Sequence, residues 1–339
     1  MSAKMTGAVA LGLVSCAAHA QSSVTLYGII DGGARYTNNG HGALISTNTN
    51  GWLSSNRLGF TGHEDLGGGW KAIFQLENGF NLSTGALDNT NGAIFNRMAY
   101  VGLKGPYGQV TLGRQWNLAH DIVYDLDPFR LQYPSIIPLT PALDGIHFNN
   151  DLKYKGSFGP FKVSFENSFG GVAGNLNDGT ARSAGVQYKQ GFLELGGVYI
   201  HKRTQVGTST NYVPDDYYAL GTLMVFGPLR LAGGFMNENQ DGMVGSAPVR
   251  TENYWGGATW DITPFTRIGA GAYETSLPNS DAKRDLGIVS VTYSLSKRTL
   301  VYAETDFTRY RGTYVTNKTL NPQKAQRQIG ATVGIDHMF

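Results

Sequence analysis

Apolar and polar residues alternate along most of this chain with a period of two. Val24, Leu26, Gly28 and Ile30 fall on one face of an extended segment, while Thr25, Tyr27, Asp31 and Arg35 fall on the other. Ala72, Phe74, Leu76 and Phe80 oppose Lys71, Gln75, Glu77 and Asn81; Phe161, Val163 and Phe165 oppose Lys162, Ser164 and Glu166. Leu229, Leu231 and Phe235 are set against Arg230 and Glu238, and the last segment sets Ile329, Ala331, Val333 and Ile335 against Gln328, Thr332 and Asp336. Such alternation predicts β-strands buried on one side only. Parity leaves open whether the apolar side meets a protein core or lipid.

The connections narrow this. Short turn signals stand at 65–68, 104–108, 158–160, 190–191, 227–228, 263–264 and 296–298, where Gly, Pro and small polar residues cluster. Longer polar stretches stand at 37–53, 83–94, 170–180, 203–216, 239–249, 276–283 and 312–326, with 117–148 as an eighth. Seven short and eight long connections alternate strictly and imply sixteen strands. That asymmetry suits a closed antiparallel barrel across an outer membrane, with short periplasmic turns at one rim and long external loops at the other. Sixteen strands enclose a space too wide to fill with side chains, so the polar faces are expected to line water.

Residues 117–148 break the pattern. They carry Asp121, Asp125, Asp127 and Asp144, four prolines (Pro128, Pro134, Pro138, Pro141), and apolar residues including Ile122, Val123 and Phe129. Proline cannot serve a strand ladder, and an irregular loop this long in a compact chain is usually functional. The expectation is that this third long loop folds into the space the wall encloses.

Composition changes this picture little. The chain has 339 residues, with 46 Gly, 16 Phe, 18 Tyr and 15% charged residues, an all-β profile without an internal break. A formal charge of +2 gives no argument for nucleic acid. Residues 1–20 read as a cleaved export signal: Lys4, an apolar run too short to span a bilayer, and the small-x-small pattern Ala18-His19-Ala20. Residues 21–339 then form one barrel domain. Leu13-Val14-Ser15-Cys16 also fits a lipoprotein signal, but the strand pattern starts directly after Ala20 with no tether. Cys16 is the only cysteine, so a chain starting at Gln21 has no disulfide. Tyr199, Tyr217, Tyr218, Tyr293 and Tyr302, near strand ends, are read as interfacial girdles, with sugar stacking as the rival role.

At several places the chain resembles the general porins of β-proteobacteria. The resemblance rests on Val24-Thr25-Leu26-Tyr27-Gly28, Arg57-Leu58-Gly59-Phe60, Gly62-His63-Glu64-Asp65-Leu66-Gly67, Lys71-Ala72-Ile73-Phe74-Gln75-Leu76-Glu77, Asn96-Arg97-Met98-Ala99-Tyr100-Val101-Gly102-Leu103, Val110-Thr111-Leu112-Gly113-Arg114-Gln115 and the terminal Phe339. It implies a homotrimeric sixteen-stranded channel in outer-membrane lipid for ions and small hydrophilic solutes. It also implies that the third loop narrows the pore and that Phe339 is the signal read by the outer-membrane assembly machinery. The Pro-Glu-Phe-Gly segment that many relatives carry at the loop tip is absent here.

Pore selectivity follows width and the charges that face each other across the narrow zone. Arg57 and Arg97, read on the polar parity of their strands and matching the family's arginine-lined wall, are the expected basic residues. Lys153, in parity with Asp151 and Lys155, is a third; Arg114 shares parity with Val110 and Leu112, so a bulge or a subunit contact competes with a pore role. Asp121, Asp125 and Asp127 are the expected acidic side, against local capping as their plain alternative. Modest anion preference is the resulting expectation, with a substrate-specific pore for a small anion or sugar as the alternative. The histidines are scattered without a hydrolase or metalloprotease motif, so no catalysis, cofactor or metal is expected. A soluble exported β-sheet binding protein is the remaining class.

Overall fold

The computed structural model describes residues 23–47, 50–89, 91–133, 146–207, 211–242, 246–317, 321 and 324–339. The segment read as an export signal, and Pro134, Pro138, Pro141 and Asp144 of the long loop, lie outside the described residues. The strands are β1 (Ser23–Asn38), β2 (Ala43–Thr47), β3 (Arg57–Gly67), β4 (Trp70–Gly79), β5 (Met98–Gly105), β6 (Gly108–Trp116), β7 (His147–Phe158), β8 (Phe161–Ser168) and β9 (Ala181–Gln190). They continue as β10 (Leu193–Gln205), β11 (Tyr212–Phe226), β12 (Leu229–Gln240), β13 (Val249–Asp261), β14 (Thr266–Leu277), β15 (Ala282–Ser294), β16 (Thr299–Arg311) and β17 (Arg327–Met338). Two helices interrupt them, α1 (Leu118–Leu126) and α2 (Thr313–Thr316).

Apart from β2 and β3, each strand pairs antiparallel with its sequence neighbour, and the sheet closes where Ile29–Asn38 of β1 run against 329–338 of β17. The other edge of β1 pairs first with β3, from Ser23 against His63 to Ile29 against Arg57, and then with β2, from Ala34 against Thr47 to Asn38 against Ala43. β2 and β3 are therefore two parts of one stave, and the barrel has sixteen. Between them the chain turns into the lumen. There Asp31 Oδ2 accepts the Leu53 and Ser54 amides, each at 2.7 Å, and the Asp31 amide donates to Asn56 Oδ1 at 2.6 Å. The long connection expected at 37–53 thus holds a strand and an inward excursion.

Two other long connections are corrected as well: 203–216, where β10 runs on to Gln205 and β11 begins at Tyr212, and 276–283. Alternation continues through the latter, β14 ending at Leu277 and β15 starting at Ala282, so only a tight turn is left around Pro278, Asn279 and Ser280. Turn-forming residues mark the place of the connection, and the strand ladder on either side sets its length.

The partition of residues is inside out relative to a water-soluble domain. Val24, Leu26, Phe60, Val101, Leu112, Phe165, Leu220 and Val333 project outward and exposed, Leu220 at 61%, whereas Asp31, Glu77, Asp151, Glu166 and Thr332 are buried on inner faces, Asp151 fully. An apolar exterior with a polar interior is what a bilayer requires of a wide barrel. Exposed aromatics gather next to the short turns, including Tyr107, Phe158, Phe192, Phe226 and Phe265, and the Phe192 and Phe226 rings stack with centroids 5.1 Å apart. Tyr217 and Tyr302 do not belong to that girdle. Both sit on inner parity and are buried, with Tyr302 Oη donating to Asp31 Oδ1 at 2.6 Å and Tyr217 Oη to the Met236 sulfur at 3.2 Å.

The C-terminus completes the closure. Gly28 and Phe339 exchange backbone hydrogen bonds of 3.0 and 3.1 Å, and the Phe339 ring covers Gly28. A Cβ there would collide with that ring and lie 2.7 Å from the Arg57 carbonyl oxygen. Gly28→Val is therefore expected to loosen the seam by about 1–3 kcal/mol. A lower temperature for loss of the heat-modifiable gel migration of the folded barrel would verify this; an unchanged temperature would show that the seam accommodates the side chain.

Candidate functional site: the lumen beside α1

The inner wall is not uniformly polar. On β9 to β16 the inward positions include Val198, Ile200, Tyr217, Ala219, Leu223, Ala232, Met236, Trp255, Tyr273 and Leu286, all buried and joined in one cluster with Leu118, Ala119, Ile122, Val123, Leu126 and Phe129. The segment 117–133 packs its apolar side on this patch. α1 forms because Asn117 caps it, its side chain accepting the His120 amide at 2.8 Å, and because Leu118, Ile122 and Leu126 recur at helical spacing. Inward glycines make room for it. A Cβ at Gly185 would lie 2.5 Å from Ile122 Cδ1, one at Gly196 2.8 Å from Leu126 Cδ1, and one at Gly269 2.5 Å from the Phe129 ring.

Polar bonds fix the seat. The Asn117 amide donates to the Ile146 carbonyl at 2.9 Å and closes the loop's base. Trp255 Nε1 donates to the Leu126 carbonyl at 3.2 Å. Asp127, fully enclosed, accepts the Phe129 and Leu131 amides at 2.9 Å on one oxygen and Tyr273 Oη at 2.9 Å on the other. Burial nevertheless pushes its carboxyl up to about 6. At the base Trp116 stacks with His120 and His147, ring centroids 3.9 and 3.8 Å away. Burial pushes His120 down to about 3, so it is neutral at ordinary pH.

Against the polar side of α1 lies a cavity of about 950 Å³. Among the described residues, Arg57, Arg97, Lys104, Arg130, Lys155 and Lys162 line it, with Asp121 and Asp125 as the acidic side chains. Arg57 donates from Nε to the Ser55 carbonyl at 3.0 Å. Arg97 lines the cavity for a reason other than strand parity, since its register along β5 is that of the outward Val101 and Leu103. It precedes the strand in a bend, where its Nε holds Glu77 Oε1 at 2.6 Å and its guanidinium lies 5.0 Å from the Trp116 ring centre.

The other expected residues divide. Lys153 is almost wholly buried, bonded to Asp121 at 3.2 Å, to Glu166 at 3.1 Å and to the Trp116 carbonyl, and does not line the cavity. Lys155, two residues on, is partly open and holds Asp121 at 2.7 Å. Burial opposes the charge on Asp121, but these two lysines hold its carboxyl below the usual range. Asp125 accepts from Gln187 at 2.9 Å. Arg114 sits at a bulge between Gly113 and Gln115, donates to the Asn96 carbonyl and to Asn149 at 2.6 Å each, and is absent from the lining. Lys104, Lys155 and Lys162 were within reach of strand parity; Arg130 lies in irregular backbone, where parity is silent.

Proteins of related sequence and fold agree with this architecture. A family model described as Gram-negative porin matches residues 7–313. The outer membrane porin protein 32 of Delftia acidovorans is 29% identical over 367 residues, covering 98% of either chain, and the major outer membrane protein P.IB of Neisseria meningitidis serogroup B is 25% identical over 324, covering 86% of this chain and 89% of that one. Among solved structures, an anion-selective porin from Comamonas acidovorans superposes with a TM-score of 0.79 at 25% identity over 94% of this chain and all of that one. The trimer form of OmpT from Vibrio cholerae gives 0.70 at 16% identity, over 94% of this chain and 99% of that one.

Two outcomes follow from the seat. Gly196→Leu would push Leu126 and Ile122 off the wall, and single-channel conductance is expected to change while the barrel stays folded; an unchanged conductance would mean that α1 does not bound the conducting path. For Asp127 the folded value near 6 lies above the ordinary 3.8, so its contribution is full below about pH 4 and is lost as pH rises through 6. Hydrogen exchange of residues 118–133, corrected for intrinsic rates, should show protection falling by up to about 3 kcal/mol across that window, at about 1.4 kcal/mol per pH unit. In Asp127→Asn the profile should be flat.

Proposed function

This chain belongs to the Gram-negative porin family, channels of the outer membrane rather than enzymes, and we propose that it passes small anions by passive diffusion through a lumen narrowed by residues 117–148. The observation that carries the anion preference is the excess of basic over acidic side chains, among the described residues, around the cavity beside α1. Arg97 is offset by Glu77, and Asp121 by Lys153 and Lys155. Arg57, Lys104, Lys162 and Arg130 then set the potential along the path, and like-signed charges in a confined aqueous space raise the local concentration of counter-ions. The Comamonas acidovorans porin of similar fold is itself anion-selective, which supports this reading.

The chain is further proposed to work as a homotrimer, after cleavage of residues 1–20, with Phe339 presented to the assembly machinery. Support for the trimer is the trimeric form of a barrel of similar fold.

The reversal potential of single channels in a salt gradient tests the selectivity. Wild type should favour anions, and Arg57→Ser with Arg97→Ser should lower that preference several-fold, because Glu77 would be left unpaired as well as two cations removed. Conductance with unchanged selectivity in the variant would move the selective zone elsewhere, to Lys155 and Lys162 first.

A further inference from the structure

Arg130 lines a second cavity as well as the first. This one, about 170 Å³, is bounded by Arg130, Arg230 and Arg267. Its wall residues Leu223, Arg230, Thr259, Arg267, Thr292 and Leu300 all stand within three residues of a strand end at a short turn. The cavity therefore occupies the short-turn mouth on the β11 to β16 side, away from the wall that carries Arg57 and Arg97.

The charges there are poorly compensated. Arg267 holds Asp261 in a fork, Nε to Oδ1 at 2.6 Å and Nη2 to Oδ2 at 3.1 Å. The charges that Arg230 feels are Arg267, Arg130 and that same Asp261, two repulsive and one already engaged. Arg130 has its guanidinium 5.8 Å from the Tyr124 ring centre and is otherwise exposed. The carboxylates that also line the cavity, Asp125 and Asp127, are turned to Gln187 and to the loop's own amides and Tyr273. Backbone strain marks the same place. Arg130, Leu131 and Tyr133 have φ of 54°, 53° and 69°, three of the five non-glycine residues with positive φ among the described residues. Such conformations are unfavourable for residues with a Cβ and persist where surrounding structure over-determines them, often at ligand sites.

We propose that Arg130, Arg230 and Arg267 form a second anion-binding station, for a small oxyanion or carboxylate, in series with the one around Arg57. The proposal rests on the anion-channel reading and adds to it a place and a ligand class. Guanidinium forks match two oxygens of one anion. The cavity has room for about five waters, which suits a partly hydrated phosphate or acetate. Arg130 borders both cavities, so an ion leaves one station toward the next without returning to bulk, the multi-site arrangement that lets binding coexist with throughput.

Inorganic phosphate is the probe, added to one side at a time of bilayers holding the folded channel in a chloride background, with the half-blocking concentration read for each side. Wild type should show saturable block, tighter from one side. Arg230→Gln should raise the half-blocking concentration on that side about tenfold, the size expected for one charge-assisted contact. Lys297→Gln, which removes an exposed cation from a short turn outside both cavities, should leave it within about twofold, and Arg230→Lys, keeping charge without the fork, should fall between; all variants are checked for heat-modifiable migration. No block of the wild type, no change in Arg230→Gln, or an equal or larger change in Lys297→Gln would overturn the second station. A cation-selective wild type would overturn the anion-channel reading, and the reversal potential reports that separately.

Discussion

The pairing of β1 with β17 is the constraint from which the remainder of the structure follows. In hydrocarbon an unpaired backbone amide or carbonyl costs several kcal/mol, so a sheet survives only as a closed ring. Closure demands an even number of staves, and the extra strand β2 is reconciled by sharing a stave with β3. The one break in the ladder beside β1 is patched locally, the Asp31 amide finding the Asn56 side chain in place of a strand. The seam also explains why Gly28 faces a terminal phenylalanine, since backbone exchange at that point leaves no space for a side chain.

With the exterior given over to lipid, the lumen must hold two kinds of surface. Under α1 and Phe129 it is a small hydrophobic core, built from inward positions of β9 to β16 and hollowed by glycines. Opposite, it is wet and charged. A loop segment resting on an apolar patch keeps its place without a covalent tie, because moving it would expose that patch to water.

Charge inside the barrel also takes two forms, and burial separates them. Arg35 between Glu304 and Asp306, and Lys153 between Asp121 and Glu166, are enclosed networks in which each cation is matched by two carboxylates. Removing one partner of such a set leaves an uncompensated buried charge, so they act as fasteners. Lys155, Arg57 and Arg130 border open cavity and can act on a passing ion. The difference lies in what surrounds each side chain, for Lys153 and Lys155 share a strand, a parity and a carboxylate.

Residue alternation and turn chemistry were enough to read the sixteen antiparallel staves, the places of the connections and the apolar exterior, because strand parity and local turn geometry are properties of short stretches of chain; the length of the connection at 276–283 was not read in this way. The family motifs carried the remaining step from barrel to porin. Arg57 was legible in the same way, lying on regular strand. Arg97 entered the lumen through a bend that parity does not register, and Tyr217 and Tyr302 turned inward although residues near strand ends suggested a girdle. Which lysine of β7 is enclosed and which borders the open cavity, which glycines receive the loop, and how Arg130 comes to border two cavities were decided by the tertiary structure alone. These depend on where residues far apart in sequence meet across the lumen, and no local pattern encodes that meeting.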